Sequence, residues 1–243
     1  MRTYRAVPTG FNIMATKKKT IVIATIRPWN IARYRAWKAP AGYRVVLITK
    51  KDQLVPKRLD KLNPHYIFFP HWSWIIPPEV YERYECIVFH MTDLPFGRGG
   101  SPLQNLLVRG IYKTKVSALK VDGGLDTGPV YLKRPLDLSR GSAHELYLKL
   151  ADITERMVRD ILRASPAPKP QRGKPVAFPR RKPQESKIPD GLTGRKLYDF
   201  IRMLDAPEYP VAYKEEAGVR IEFRNARLSK GTVLADAAYI PLT

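Results

Sequence analysis

The chain has 243 residues, a single cysteine and a formal net charge of +21, and 44% of its residues are hydrophobic. This length allows one large domain, or a domain with a small appendage. The lone Cys86 excludes an intrachain disulfide and favours a reducing compartment, predicted to be the cytoplasm. No apolar run approaches the roughly 18 residues that span a membrane, and the first 20 residues lack the apolar core of a secretory signal. They predict a flexible tail or an early start, with Met14 as the alternative first residue.

The basic excess indicates an anionic partner, such as nucleic acid, a membrane surface or a phosphorylated substrate. Thirteen of the 43 basic residues lie in two segments that look flexible, 1–20 and 163–187. A solvated, charged linker and a patch that contacts phosphate or RNA both explain them.

Short runs rich in β-branched and aromatic residues recur along the first part of the chain. They predict strands at 20–26, 43–49, 65–69 and 86–90, separated by helix-like stretches. Two further strands are predicted on either side of the turn GGLDTG at 123–128. Alternation at this spacing predicts βαβ units and a mostly parallel, Rossmann-like α/β sheet.

Two helix starts are well marked. In SPLQNLLVRG, Ser101 is a good N-cap, Pro102 suits the first helical position and Gln104 would complete a capping box. A longer helix is predicted over 142–164, because its apolar residues recur every three or four positions as a single stripe.

Composition divides the chain into four segments. We predict a flexible N-terminal tail at 1–18 and a catalytic α/β domain at 19–164. A Pro-rich, basic linker or extended strap follows at 165–187, and then a small α+β domain at 188–243.

His90 is the most informative histidine, because it ends a predicted buried strand. Sheets of this class place ligands beyond the carboxyl ends of their strands. Asp126 in the GGLDTG turn is the candidate partner, since a carboxylate can orient a histidine that acts as a base; Asp122 is the rival acid. No paired Cys/His spacing is present, so the sequence predicts no metal site.

The stretch from His90 to Gly128 resembles the folate-dependent formyltransferases. These enzymes share a strand ending in Asn-x-His, a loop of the type Ser-Leu-Leu-Pro-x-x-Arg-Gly-x-x-Pro-x-Gln, and a later Leu-Asp-Thr-Gly turn. The matching residues here are His90, Thr92, Pro95, Arg98, Gly99, Pro102, Gln104 and Leu125–Gly128. IRMLDAPEYPVAY at 201–213 also resembles a family segment, so the likeness covers roughly residues 20–223.

The resemblance implies transfer of a formyl group from N10-formyltetrahydrofolate to a primary amine, without a metal. It implies catalytic roles for His90 and Asp126, and oxyanion or loop support by Thr92, Gln104 and Arg98. Folate would contact Trp74, Ile75, Ile76, Pro77, Leu94, Pro95, Asp122 and Leu125. The acceptor would contact Gly99, Gly100 and Tyr209, the last as a platform for a nucleotide base.

One departure from the family pattern lies two residues before His90, where Val88 replaces an Asn expected to polarise the formyl oxygen. Another donor, such as Thr92, Gln104 or a backbone N–H, could substitute. The protonated His90 could also act alone, or the protein could be inactive.

The acceptor is open between two transferase hypotheses and a third of another class. The loop motif is most similar to sugar N-formyltransferases of the pseudaminic acid pathway type, which favours a nucleotide-linked 4-amino sugar. The charge favours the methionine of an initiator tRNA, although the segment after the linker is shorter than the barrel domain expected of tRNA formyltransferases. The third hypothesis is a non-catalytic nucleic-acid-binding protein on this scaffold. A homodimer is a further open arrangement.

Overall fold

The structure is a computed structural model that describes residues 18–242. The predicted N-terminal tail, with Met14, therefore lies almost entirely outside the described residues. Eleven strands are described: β1 Lys19–Ala24, β2 Tyr43–Ile48, β3 Pro64–Phe69, β4 Cys86–His90, β5 Phe96–Gly99, β6 Lys113–Lys120, β7 Val130–Asp137, β8 Val176–Phe178, β9 Ala212–Glu216, β10 Val219–Ser229 and β11 Thr232–Pro241. The α-helices are α1 Pro28–Ala36, α2 Pro56–Leu62, α3 Pro78–Tyr81, α4 Pro102–Val108, α5 Ala143–Ala164 and α6 Gly194–Arg202.

A six-stranded sheet forms the centre of the molecule, in the order β2-β1-β3-β4-β6-β7. The first four strands are parallel, whereas β6 pairs antiparallel with both β4 and β7. The middle strands are apolar because both faces of the sheet are covered. The predicted mostly parallel α/β fold is confirmed.

Each face of the sheet has its own apolar core. One core contains the stripe of α5 together with Leu103 and Leu106 of α4. The other is covered by Leu59 of α2 and Val80 of α3. Side chains alternate along a strand, so Cys86, Val88 and His90 of β4 point to the second face while Phe89 packs into the first.

The two marked helix starts have different outcomes. At α5 a complete capping box forms, with Ser142 accepting from the Glu145 backbone and Glu145 accepting from that of Ser142. The capping box predicted at α4 is wrong. Ser101 takes a left-handed conformation, with φ of 48°, and its hydroxyl instead accepts from the backbone N–H of Arg181.

The Pro-rich segment that follows α5 lies in an extended form against the catalytic unit. Strand β8 of this segment pairs parallel with β5, and Lys169 forms a β-bridge with Val130. We refer to residues 165–182 as the strap. Its backbone passes so close to Gly99 and Gly100 that a Cβ at either would lie within 3 Å of Phe178 or Arg180 atoms.

The C-terminal unit combines α6 with a three-stranded antiparallel sheet in the order β11-β10-β9. Buried Arg202 of α6 anchors it, donating to Asp199 and to the carbonyls of Leu138 and Gly141 after β7. Among the described residues, no helix is both long and apolar enough to cross a bilayer.

Candidate active site

The site is centred on His90, at the carboxyl end of β4 and only 8% exposed. Its Nε2 lies 2.7 Å from the carbonyl oxygen of Gly97, and its Nδ1 lies 3.4 Å from Oδ2 of Asp126. A carbonyl and a carboxylate both accept hydrogen bonds, so each ring nitrogen of His90 faces an acceptor. The pair therefore places an imidazole, which can exchange protons, beside a carboxylate.

Asp126 is held by its backbone as well as its side chain. It takes a left-handed conformation with φ of 54°, which the Gly-rich turn around it accommodates. Its Oδ2 accepts from the backbone N–H of Gly99 at 2.9 Å. The turn thus aims one carboxylate oxygen at both His90 and the loop that carries Gly99.

Gln171 of the strap fixes this geometry from outside. Its amide donates to the carbonyls of Asp126 and Gly128 at 2.8 Å each, and its oxygen accepts from Arg98 at 2.8 and 3.2 Å. One side chain therefore joins the Asp126 turn to the loop after His90. Sequence reasoning missed Gln171 because it lies in a Pro-rich, basic run that is typical of a linker.

The three residues predicted to support the oxyanion or the loop divide between two tasks. Thr92 is fully buried and its hydroxyl donates to Gly97, and Arg98 bonds to Gln171, so both support the loop. Gln104 does not support the oxyanion. Its amide hydrogens are used by Met203 O at 3.0 Å and the Tyr147 hydroxyl at 3.3 Å, at the contact between α4 and the C-terminal unit.

Val88 occupies the face of β4 that His90 shares, packed in the same apolar core as Trp72. The side chains of Thr92 and Gln104, two of the predicted replacements for the missing Asn, are already engaged with protein carbonyls or hydroxyls. Both ring nitrogens of His90 are engaged as well, Nε2 with the Gly97 carbonyl and Nδ1 with Asp126, so a hydrogen bond from His90 to the formyl oxygen requires its contact with Gly97 to break.

A cleft of about 670 Å³ lies on the same face of the sheet, beside the ends of β1 and β2. Trp74, Ile75 and Pro77 line it, and its charged residues balance, with Lys50 and Lys51 on one side and Asp52 and Glu79 on the other. Its volume is in the range of small-molecule sites, and an aromatic and aliphatic wall suits a flat ring system.

The other predicted folate contacts lie elsewhere. Ile76, Leu94 and Pro95 are buried in the protein, so they shape the site without offering an open surface. Leu125 is 70% exposed. Asp122 accepts from the Thr127 hydroxyl at 2.6 Å and from the backbone of Gly124, so it stabilises the turn that carries Asp126.

The predicted acceptor contacts also have structural partners. Gly99 and Gly100 lie under the strap, so packing explains their lack of a side chain, and their contact with the acceptor stays a prediction. Tyr209 stacks on Tyr147 at 5.3 Å and lies under the guanidinium of Arg27. Its ring packs against these groups but the residue is only partly buried, so its contact with the acceptor stays a prediction.

His71 joins the same aromatic cluster, with Nε2 3.1 Å from the Tyr209 hydroxyl and its ring edge-on to Trp29. Burial, reinforced by the charge of Arg27, lowers the pKa of His71 to about 3. The folded state therefore holds it neutral at a pH where the unfolded chain, with a pKa near 6.5, takes up a proton.

We expect this difference to make folding pH-dependent. Stability from neutral His71 is present above pH 6.5 and is lost as the pH falls from there towards 3, about 1 kcal/mol of it between pH 7.5 and 5.5. Urea unfolding of the wild type and of His71→Gln at both pH values measures it. The loss between the two pH values should be about 1 kcal/mol smaller in the variant, and an equal loss in both proteins would contradict the prediction.

Within residues 18–242, no group of three or more His, Cys, Asp or Glu side chains is placed to hold a metal ion.

Protein-family models match both the catalytic unit and the C-terminal unit of this chain. A family model described as formyl transferase matches residues 18–161, and one described as the C-terminal domain of methionyl-tRNA formyltransferase matches residues 183–240. A solved structure, methionyl-tRNA formyltransferase from Clostridium thermocellum, is 47% identical with a TM-score of 0.88, over 92% of this chain and 99% of that one. The methionyl-tRNA formyltransferase of Thermodesulfovibrio yellowstonii is 28% identical over 93% of this chain and 78% of its own length.

The amino-sugar interpretation is corrected by these findings. A 4-N formyltransferase from Francisella tularensis is only 16% identical, with a TM-score of 0.65 over 87% of this chain, so it supports the fold alone. The size argument against a tRNA enzyme also fails, because the C-terminal unit itself matches a methionyl-tRNA formyltransferase domain. The formyl donor of the family, N10-formyltetrahydrofolate, is confirmed as the co-substrate. The sheet, the His90–Asp126 pair and the match over 18–161 together establish that this chain belongs to the formyl transferase family.

Proposed function

We propose that this protein transfers the formyl group of N10-formyltetrahydrofolate to the amino group of methionyl-tRNA. The match of residues 183–240 to the C-terminal domain of methionyl-tRNA formyltransferases carries the proposal, since this region lies outside the transferase domain shared by the family. The charge of +21 adds an electrostatic attraction for RNA.

The reaction follows from the groups at the site. The acceptor amine attacks the formyl carbon, the bond from that carbon to N10 breaks, and N10 receives the proton that the amine loses. The products are a formamide and tetrahydrofolate. On giving up its contact with the Gly97 carbonyl, His90 donates a hydrogen bond to the oxygen that becomes negative in the tetrahedral intermediate, and Asp126 keeps the ring oriented.

We assign the cleft lined by Trp74, Ile75 and Pro77 to the donor. Its apolar wall would take the pterin ring. Val88 and Trp72 share one apolar core, which connects this cleft to the His90 face of β4.

The direct test supplies N10-formyltetrahydrofolate with methionyl-tRNA, uncharged tRNA or a panel of nucleotide-linked amino sugars. Formylated methionyl-tRNA is resolved by acid gel electrophoresis and tetrahydrofolate is measured by absorbance. We expect turnover with methionyl-tRNA alone. Turnover with another amine but not with methionyl-tRNA would overturn the proposal, and tight tRNA binding without transfer to any amine would support the non-catalytic hypothesis instead.

The strap contributes a testable effect on this activity. Gln171→Ala removes the bonds that hold Asp126 O, Gly128 O and Arg98, so the turn that orients His90 loosens. We expect kcat to fall about 10- to 100-fold, since displacements near 1 Å have effects of this size.

The matched control is Gln184→Ala, at an exposed glutamine later in the same Pro-rich region. It should leave kcat unchanged, and thermal unfolding of both variants separates a local effect from a loss of fold. Equal kcat in the two variants would show that the strap does not position the site.

A further inference from the structure

A second cleft, of about 370 Å³, lies on the face of the sheet opposite His90. It is formed between edge strand β7 and the second half of α5. Four arginines line it, with Asp160 as the one acid of its wall: Arg134, Arg156, Arg159 and Arg163. We name it the arginine cleft, and it plays no part in the donor or catalytic site described above.

The sequence places these arginines together by helix periodicity. Arg156, Arg159 and Arg163 are spaced by three and four residues, so they share one face of α5. Arg134 reaches the same cleft from β7, where it bonds to Asp160 at 2.7 Å. Since Asp160 balances a single arginine, the wall keeps a surplus of positive charge.

Two of the guanidiniums are fixed by protein contacts. Arg134 is held by Asp160. Arg159 bonds to Glu155 at 3.2 Å and lies 4.8 Å from the centre of the Trp37 ring. Planar guanidiniums that are already oriented match the two-oxygen edge of a phosphate well.

The other two arginines are exposed and their charge is not neutralised locally. Within the described part of the chain, no ion pair involves Arg156 or Arg163. The nearby acids of α5 pair with other arginines: Asp152 with Arg33, Glu155 with Arg33 and Arg159, and Asp160 with Arg134. Exposed cations beside oriented ones form a surface that attracts a polyanion.

The strand register relates the arginine cleft to the active site. His90 pairs with Ser117 of β6, and Ser117 pairs with Lys133 of β7, so Lys133 lies two strands, or about 10 Å, from His90. Lys133 bonds to Asp93 and Leu94 in the catalytic loop, while its neighbour Arg134 points to the opposite face. A ligand that occupied both sites would have to pass around the β7 edge, which requires a long molecule.

We propose that the arginine cleft binds backbone phosphates of the acceptor RNA, away from its reacting end. This inference rests on the proposed function, because the acceptor supplies the polyanion. Phosphate contacts of this kind add affinity and register without reading sequence.

The test compares Arg156→Gln/Arg163→Gln with Lys57→Gln/Lys61→Gln. The second pair removes the same charge from exposed positions of α2, on the other face of the sheet and outside both clefts. Binding to methionyl-tRNA is measured from 50 to 300 mM salt, together with kcat and KM for formyl transfer. Both variants should unfold at the wild-type temperature, since the replaced side chains are exposed.

We expect the arginine variant to bind methionyl-tRNA about tenfold more weakly at 0.15 M salt, with KM raised to match and kcat unchanged. Its slope of log affinity against log salt should fall by about 1.4, the effect of two lost phosphate contacts, while the lysine variant should resemble the wild type. Equal slopes and KM values in the two variants would overturn the proposal, as would a loss of affinity for anionic vesicles but not for tRNA. Wild-type protein that fails to formylate methionyl-tRNA would instead overturn the proposed function.

Discussion

Replacing His90 by Gln should reduce formyl transfer about 10³-fold in kcat while leaving the fold intact. Gln can still donate to the carbonyl of Gly97, but its amide cannot exchange a proton with the amine. The effect should be large because Val88 contributes no polar group, and because the side chains of Thr92 and Gln104 are engaged elsewhere.

Asp126→Asn removes the negative charge beside His90 while keeping the geometry of the turn that carries residue 126. The amide oxygen can still accept from Gly99, so the turn should persist, but the carboxylate beside His90 is lost. We expect a fall in kcat of about 10²-fold.

His65→Gln, at an exposed histidine of β3, is the control and should behave as the wild type. Single-turnover kinetics with saturating donor and acceptor measure the chemical step, and wild-type rates for His90→Gln would refute the assignment of this site.

The central pair could be predicted from the sequence because two local rules meet there. An apolar run predicts where β4 ends, and ligands collect beyond the carboxyl ends of parallel strands, so His90 was identified by its place. The turn containing Asp126 was identified by its glycines and its resemblance to the family. In the same way, the capping box of α5 depends only on Ser142 and Glu145, which are neighbours in the chain.

The contacts made by the strap could not be predicted in this way. Ser101 has the right residue type and spacing for a cap, but Arg181, 80 residues later, donates to its hydroxyl instead. Gln104 matches the second position of that capping box, but its side-chain amide donates to the Met203 carbonyl instead. The apolar triplet Val176–Phe178 was the one local sign that the Pro-rich segment packs, and nothing in its sequence indicates which loop it meets.

The acceptor prediction failed for a related reason. The loop motif around Gly99 and Gly100 was used to choose an acceptor, but those glycines are required by the close approach of the strap, whatever the acceptor is. The family match that bears on the acceptor lies in the C-terminal unit. The contacts that hold this unit on the catalytic unit are therefore of functional interest.

Arg202→Met should be the most destabilising change at that attachment, lowering the free energy of unfolding by about 3–5 kcal/mol. The Arg202 side chain is 1% exposed, and it satisfies Asp199 at 2.7 Å together with the carbonyls of Leu138 and Gly141. Methionine fills a similar volume, but it leaves the carbonyls of Leu138 and Gly141 without this donor. It also removes a positive charge that compensates the buried carboxylate of Asp199. Urea-induced unfolding followed by circular dichroism gives the free energy, with tryptophan fluorescence as a second probe of the two-state assumption.

Arg195→Met is the matched control, because Arg195 also bonds to Asp199 but its side chain is 39% exposed. That variant should lose about 1 kcal/mol or less. The double variant Arg202→Met/Asp199→Leu should recover part of the loss, since removing both buried charges costs less than leaving one without its main partner. A loss below 1 kcal/mol for Arg202→Met, or a double variant less stable than the single one by several kcal/mol, would mean that the buried pair does not hold the C-terminal unit in place.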